Sequence, residues 1–249
     1  MPPASRVNAS SKSALDLPPA YRLVTLREVG DAFAHAKANA ATLGAGTLIH
    51  VGRFDLAEFA VVLEPEEPLR TARRAFYAGL AALGDALLAH APPEKEVQIE
   101  WPDAIRVDLG LVGGGQLAWA ACAEDEPPAW MVFGGMIRTV SFGEGDPGLK
   151  PLATALEEEG FDDAGSDRVV ESFARHFMLH IDAWQSHGFG EVAREYLARL
   201  KPEKGVRRDI DENGDLLVRR IGKTDVERKK LVPALARPSW LDPKTGGPR

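Results

Sequence analysis

The chain has 249 residues, with 45% hydrophobic and 27% charged residues and a formal net charge of −7, which is typical of a globular protein with a sizeable core. The acidic balance argues against a nucleic-acid or anionic-membrane surface, and the sequence has no apolar run of the roughly 18 residues that a membrane span needs. The single cysteine, Cys122, excludes an intramolecular disulfide and a cysteine zinc cluster, and it favours a cytoplasmic protein.

Apolar spacing in the first half of the chain predicts alternating helices and strands. Residues 1–18 are rich in Ser, Ala and Pro and predict a flexible tail. The helices then follow a period of 3.6 residues, and the strands are rich in β-branched and aromatic residues. In chain order we expect a helix, two strands, a long helix and four strands: 26–41, 47–51, 54–63, 69–91, 97–101, 105–109, 116–121 and 130–141.

The second half is predicted to be helical and to end in a small β module. Helical patterns cover 151–160, 167–187 and 189–200. Two β-runs then flank Asn213-Gly214, a dipeptide that strongly favours a tight hairpin turn. We therefore divide the chain into a main domain, a β module and a C-terminal tail whose Trp240 is a candidate to pack onto the body: 19–202, 203–236 and 237–249.

Three short motifs suggest chemistry, but each has a plainer interpretation. "DIDENG" begins like a calcium loop, yet Arg220 stands where the loop needs a bidentate Glu, so a hairpin turn is favoured. His176 and His180 have the spacing of a metal pair on a helix, but the sequence shows no obvious third ligand. Cys122 lies beside an acidic stretch, which favours an inert thiol.

The stretch "IEWPDAIRVDLGLVGGG" is the most informative part of the sequence. Gly113, Gly114 and Gly115 allow either the close approach of a ligand or a bulge and tight packing, and the residues leave both open. If they form a cleft floor, we expect Gly114→Val to weaken ligand binding while leaving the fold largely intact.

The order of these motifs resembles the biotin/lipoate protein ligase family. "WPDAIRVDLGLVGGG" is similar to the family's Lys-Trp-Pro-Asn-Asp segment and the strand after it, and "FGGMIRTV" is similar to the next strand. "RRDIDENGDLLV" resembles the first hairpin of the C-terminal SH3-like module of biotin ligases. No helix-turn-helix domain precedes the core, so the resemblance implies no repressor role.

This resemblance implies an α+β fold, in which helices pack on a mixed β-sheet as in class II synthetases and biotin ligases, plus a small SH3-like module. It implies a small carboxylate or acyl ligand such as biotin, lipoate or a medium-chain acyl group, a carrier protein as partner, and ATP and Mg²⁺ if ligase activity is retained. A homodimer is a further expectation. The ligand-binding residues that it implies are Arg53, Trp101, Pro102, Asp103, Arg106, Leu111, Gly113, Gly114, Gly115 and Arg138.

The sequence departs from the family at the positions that carry its chemistry. The family's essential lysine aligns with Leu111, and the Lys before Trp-Pro is Glu100. The Gly/Arg-rich loop that closes over the adenylate is missing. Arg53, Arg106 and Arg138 are the candidate replacement cations.

These departures favour a binding or accessory protein with little or no adenylation. The alternative is an active ligase or acyltransferase that attaches biotin, lipoate or an acyl group to a carrier lysine with the help of replacement arginines. The catalytic residues of such an enzyme cannot be assigned from the sequence.

Overall fold

The computed structural model describes residues 15–141 and 152–249, so most of the predicted 1–18 tail lies outside the described residues. The strands are β1 (Arg22–Leu26), β2 (Thr47–Val51), β3 (Leu56–Leu63), β4 (Val97–Glu100), β5 (Ala104–Val107), β6 (Gly110–Trp119), β7 (Met131–Arg138), β8 (Val206–Ile210), β9 (Leu216–Arg220) and β10 (Val226–Lys229). The helices are α1 (Ala32–Leu43), α2 (Leu69–Ala72), α3 (Ala75–Leu88), α4 (Ser166–His187), α5 (Phe189–Ala198) and α6 (Leu231–Leu235).

Seven strands form one mixed sheet in the order β1-β2-β3-β7-β6-β5-β4. The β1–β2 pair is parallel and the other pairs are antiparallel. Because side chains alternate along a strand, one face packs on α3, α4 and α5 and the other packs partly on α1. This confirms the predicted α+β class with helices packed on a mixed sheet. No helix in 15–141 or 152–249 is long and apolar enough to cross a membrane.

Several predicted elements differ in the structure. The long helix predicted at 69–91 is divided into α2 and α3. The first helix starts at Ala32 because the Asp31 carboxylate accepts a bond from the Ala34 amide (2.7 Å) and caps it, so Leu26 ends a strand instead. The glycine run lies inside β6, with a register shift opposite Ile105. The helix predicted at 151–160 is reduced, within the described residues, to a 3₁₀ turn at Glu157–Glu159.

The predicted hairpin is confirmed and belongs to a three-stranded antiparallel sheet, β10-β9-β8. Three side chains of this sheet and one of α6 join the core of the main domain: Ile210, Leu216, Val218 and Leu231. The Tyr77 hydroxyl also donates to the Gly214 carbonyl (2.6 Å). The module is therefore packed onto the main domain through apolar side chains.

Candidate functional site

The Trp-Pro turn between β4 and β5 is held in place from both sides. The Trp101-Pro102 peptide bond is cis. The Tyr196 hydroxyl donates to the Pro102 carbonyl (2.9 Å), and the Gly115 amide donates to the Asp103 carbonyl (3.0 Å). The turn is thus fixed against α5 on one side and β6 on the other.

Asp103 is fully buried, and its carboxylate contacts the C-terminal segment (residues 237–249). The Ser239 amide donates to Oδ2 (2.9 Å) and the Ser239 hydroxyl donates to Oδ1 (2.6 Å). Burial raises the pKa of Asp103, because the charged form loses its water. A residue predicted to bind a ligand is therefore bound by another part of the same chain.

Trp240 covers the surface of β6 at Gly114 and Gly115, beside Asp103, and we call this surface the β6 floor. Its side chain is 0% exposed, and its indole Nε1–H donates to the Gly115 carbonyl (3.1 Å). It belongs to a small hydrophobic cluster that is separate from the main core and contains Leu56, Ala104, Leu111, Met136 and Trp240. The C-terminal segment thus lies on the face of the sheet where we expected a ligand.

The glycines of β6 have close neighbours on both faces of the sheet. A Cβ at Gly113 would lie 1.9 Å from the Met136 carbonyl oxygen, and that residue also has a φ of +155°. A Cβ at Gly114 would lie 2.1 Å from the Asp103 carbonyl oxygen and 2.4 Å from Cδ1 of Trp240. These distances give both glycines a packing role, and their role in ligand binding stays a prediction.

The three candidate replacement cations all have partners. Arg53 donates from Nε and Nη2 to the Asp55 carboxylate (2.8 and 2.6 Å). Arg106 donates from Nε to the Glu100 carboxylate (2.7 Å), and Arg138 donates from Nη2 to the Pro248 carbonyl (2.5 Å). Only Arg138 lies near the C-terminal segment, and burial lowers its pKa. The arginines therefore do not converge on one point.

Trp101 and Arg106 line a different space from Asp103. A cavity of about 490 Å³ lies between the β4–β5 hairpin and the C-terminal module, and we call it the junction cavity. Its apolar lining is Ile99, Trp101, Leu109, Leu152, Leu200, Leu216 and Val218; its charged lining is Glu100, Arg106, Lys201, Glu203, Arg208, Arg220 and Lys229. Five cations thus face two carboxylates in a chain whose net charge is −7.

Pairing leaves part of this positive charge uncompensated. Glu203 is shared by Arg208 (3.3 Å) and Arg220. Lys229 lies over the Trp101 ring, 5.9 Å from its centroid, and shares Glu227 (3.8 Å) with Arg220 (3.7 Å). Lys201 makes no ion pair among the described residues. The junction cavity therefore combines an apolar lining with an excess of cations.

Sequence reasoning missed the module's share of the junction cavity and the contacts of Ser239. The NG hairpin predicted the module, but nothing in the sequence indicates which face of the main domain it covers. A second cavity of about 730 Å³, lined by Leu23, His50 and Asp167 among others, also escaped the sequence analysis. His50 Nε2 lies 3.4 Å from an Asp167 carboxylate oxygen there.

The residues of the two metal-like motifs make hydrogen bonds within the described structure. Asp211 Oδ1 accepts a bond from the Asn213 amide (3.0 Å), as in an ordinary turn. His176 bonds to a carbonyl of its own helix and His180 to Asp85. Across 15–141 and 152–249, no three His, Cys, Asp or Glu side chains are placed to hold a metal ion.

A family model described as the biotin/lipoate A/B protein ligase family matches residues 17–198. Comparison with the curated proteins gives no match.

Solved structures share the fold. A biotin protein ligase-like protein of unknown function from Silicibacter sp. TM1040 is 26% identical, with a TM-score of 0.77 over 90% of this chain and 100% of that chain. A biotin protein ligase from Aquifex aeolicus in complex with biotin and ATP is 16% identical, with a TM-score of 0.58 over 84% and 99%. A biotin protein ligase from Leishmania major in complex with biotin is 14% identical, with a TM-score of 0.52 over 86% and 99%.

Proposed function

Because the chain belongs to the biotin/lipoate A/B protein ligase family, we propose that it binds a small carboxylate or acyl ligand, or the carrier protein that bears one, without adenylating it. The observation that carries this proposal is the position of Leu111. This residue stands where the family resemblance implies the essential lysine, is only 7% exposed, and packs in the same cluster as Trp240.

Adenylation needs positive charge where the carboxylate attacks the α-phosphate, since the two reacting groups are anions. The β6 floor instead carries negative charge. Asp103 places a carboxylate there, and the nearby cation, Arg138, already bonds to the C-terminal segment. The residues of the floor therefore do not fit an acyl-adenylate or its Mg²⁺.

The short β2–β3 connection supports the same conclusion. Only residues 52–55 join the two strands, and Arg53 within this connection is held by Asp55 on the same turn. A closing loop excludes water and adds contacts in many enzymes. This connection has no length for such a closure.

The junction cavity supports the choice of ligand. A carboxylate head group is complementary to Lys201, and to Lys229 if it replaces Glu227 (3.8 Å) as the partner of that lysine. An apolar body is complementary to buried side chains such as Leu216. Sites for small ligands commonly combine a mainly apolar lining with a few polar groups that fix orientation. We therefore place the ligand in the junction cavity, with Trp101 and Arg106 among its contacts.

The absence of adenylation is tested by ATP–pyrophosphate exchange with Mg²⁺, offering biotin, lipoate and octanoate in turn beside an active ligase. We expect background exchange, because losing even one preorganised charge-stabilising group costs about 10²–10³ in rate. Exchange within about tenfold of the active ligase would overturn the proposal and would favour an enzyme with replacement arginines.

Ligand binding is tested separately by calorimetry with octanoate as the probe. Lys229→Gln should weaken binding by about two- to fivefold, the range for one exposed ion pair. Lys37→Gln is the matched control, because Lys37 is exposed on α1 and lies over Phe33 instead. Equal affinities of the two variants would remove the junction cavity as the ligand site.

A further inference from the structure

We propose that the β6 floor is a peptide-binding site for a Ser-Trp segment and that residues 237–249 are its ligand, docked reversibly within the same chain. The proposal concerns the covered floor and not the junction cavity. It therefore stands independently of where a carboxylate binds.

The contacts of the segment are of the kind that a bound peptide makes. Trp240 supplies one aromatic anchor that is fully buried, and its N–H meets the Gly115 carbonyl. Ser239 supplies two donors to the Asp103 carboxylate. A buried aromatic anchor beside directed hydrogen bonds is the usual arrangement at binding hot spots.

The floor distinguishes this segment from others. It presents three acceptor oxygens, two of the Asp103 carboxylate and one of the Gly115 carbonyl, and these match the three donors of Ser239 and Trp240. Gly114 leaves room for the Trp240 ring, because a Cβ there would lie 2.4 Å from Cδ1 of the indole. The sequence "PSWL" meets these requirements, whereas Phe or Leu in place of Trp lacks the N–H donor.

The segment is attached to the body without being part of its sheet or main core. Trp240 lies in a small cluster of five buried residues that is distinct from the core shared by the helices and the module. Residues 241–248 fold back on themselves through an isolated bridge between Leu241 and Pro248 and a bond from the Arg249 amide to the Trp240 carbonyl (2.8 Å). Arg138 of β7 also holds this loop through the Pro248 and Arg249 carbonyls (2.5 and 3.5 Å). A segment attached by a few such contacts can leave as a unit, and sub-global opening of this kind is common in folded proteins.

The full chain tests this by hydrogen exchange followed by NMR. The Trp240 indole N–H and the Ser239 amide should exchange at least about 100-fold faster than the Ala60 amide in β3, at a rate that low denaturant does not change. Exchange of all three groups at one denaturant-dependent rate would overturn the proposal, since the segment would then open only with the whole domain. If exchange slows as protein concentration rises, the segment docks on a second copy of the chain by domain swapping, and docking within one chain is overturned.

A full-chain variant supplies the second measurement. Trp240→Ala should remain folded and should bind a synthetic peptide of residues 237–249. A peptide with Ser239→Ala should bind at least about tenfold more weakly, because it loses the hydroxyl donor to the buried Asp103 carboxylate and keeps only the backbone amide donor. Equal binding of the two peptides, or none by either to the folded variant, would overturn the proposal. The ATP–pyrophosphate assay measures neither hydrogen exchange nor peptide binding. The proposal on adenylation and the proposal on the C-terminal segment can therefore fail independently.

Discussion

The β6 floor and the junction cavity are neighbours in the chain but opposites in physical character. Asp103 faces the floor, whereas Trp101, two residues earlier, lines the junction cavity. The floor is filled, and its buried polar groups are hydrogen-bonded. The junction cavity is open, apolar at its base and rich in cations.

One sequence motif thus contributes side chains to two separate surfaces. The turn at Pro102 and the alternation of strand residues send adjacent side chains in different directions. A row of predicted ligand-binding residues therefore does not describe a single pocket. The surface that contains the family-like glycines is covered, and the surface that remains accessible is built partly by the module.

The largest expected effect separates the module from the C-terminal segment. A chain ending at Leu200 should aggregate, because four buried module side chains, Ile210, Leu216, Val218 and Leu231, are worth about 1.5–3 kcal/mol each. Their sum is comparable to the about 5–15 kcal/mol that stabilises a typical domain. A chain ending at Ala236 keeps the module and should stay monodisperse on size exclusion with its helical circular dichroism intact. Equal behaviour of the two chains would contradict this comparison.

A side chain at Gly114 should damage the floor from within. Gly114→Val places Cβ 2.1 Å from the Asp103 carbonyl oxygen, so we now expect a loss of about 3 kcal/mol in the free energy of unfolding, in contrast to the tolerance expected from the sequence. Urea unfolding measures it. The control is Gly190→Ala in α5, where nothing lies within 4 Å of the new Cβ; it should change stability by no more than about 1 kcal/mol. A tolerated Gly114→Val would show that the floor is wider than the structure indicates.

The charge of Asp103 should make the floor sensitive to pH. Burial raises its pKa in the folded state, so the folded state binds this proton more tightly, and the cost of burying the charge appears as pH rises through that pKa. Asp103→Asn removes the cost and can still bond to Ser239. Its melting temperature should exceed that of the wild type near about pH 7 and should approach it as the carboxyl becomes protonated. If the difference in melting temperature between Asp103→Asn and the wild type does not change with pH, its cause is packing and not the charge of Asp103.

The smallest effect belongs to the junction cavity. Arg106 pairs with Glu100, which is largely exposed. Arg106→Gln should therefore change the free energy of unfolding by less than about 1 kcal/mol, while octanoate binding should weaken by about two- to fivefold. Urea unfolding and calorimetry on the same preparation separate the two effects. If Arg106→Gln lowers the free energy of unfolding but leaves the affinity for octanoate unchanged, Arg106 has a structural role and does not contact the ligand.

Local signals in the sequence were sufficient for the elements that depend on local chemistry. Asn213-Gly214 forms the predicted turn, and the apolar stripe of 167–187 forms α4 almost unchanged. β1 was missed because helical apolar spacing can be followed back to Leu26, past Gly30 and the Asp31 cap at which α1 begins. The covering of the floor could not be predicted, because the contacts of Ser239 and Trp240 join residues more than 120 positions apart.

Two tyrosines determine how the junction cavity can respond to a ligand. The Tyr77 hydroxyl holds the module turn at Gly214 and the Tyr196 hydroxyl holds Pro102, while the two rings pack edge to face with centroids 4.5 Å apart. The two walls are thus joined to one buried pair and do not swing separately. A ligand should therefore meet a preformed cavity. The time course of binding should fit a single exponential, and its observed rate constant should rise linearly with ligand concentration, without the plateau that a slow closing step produces.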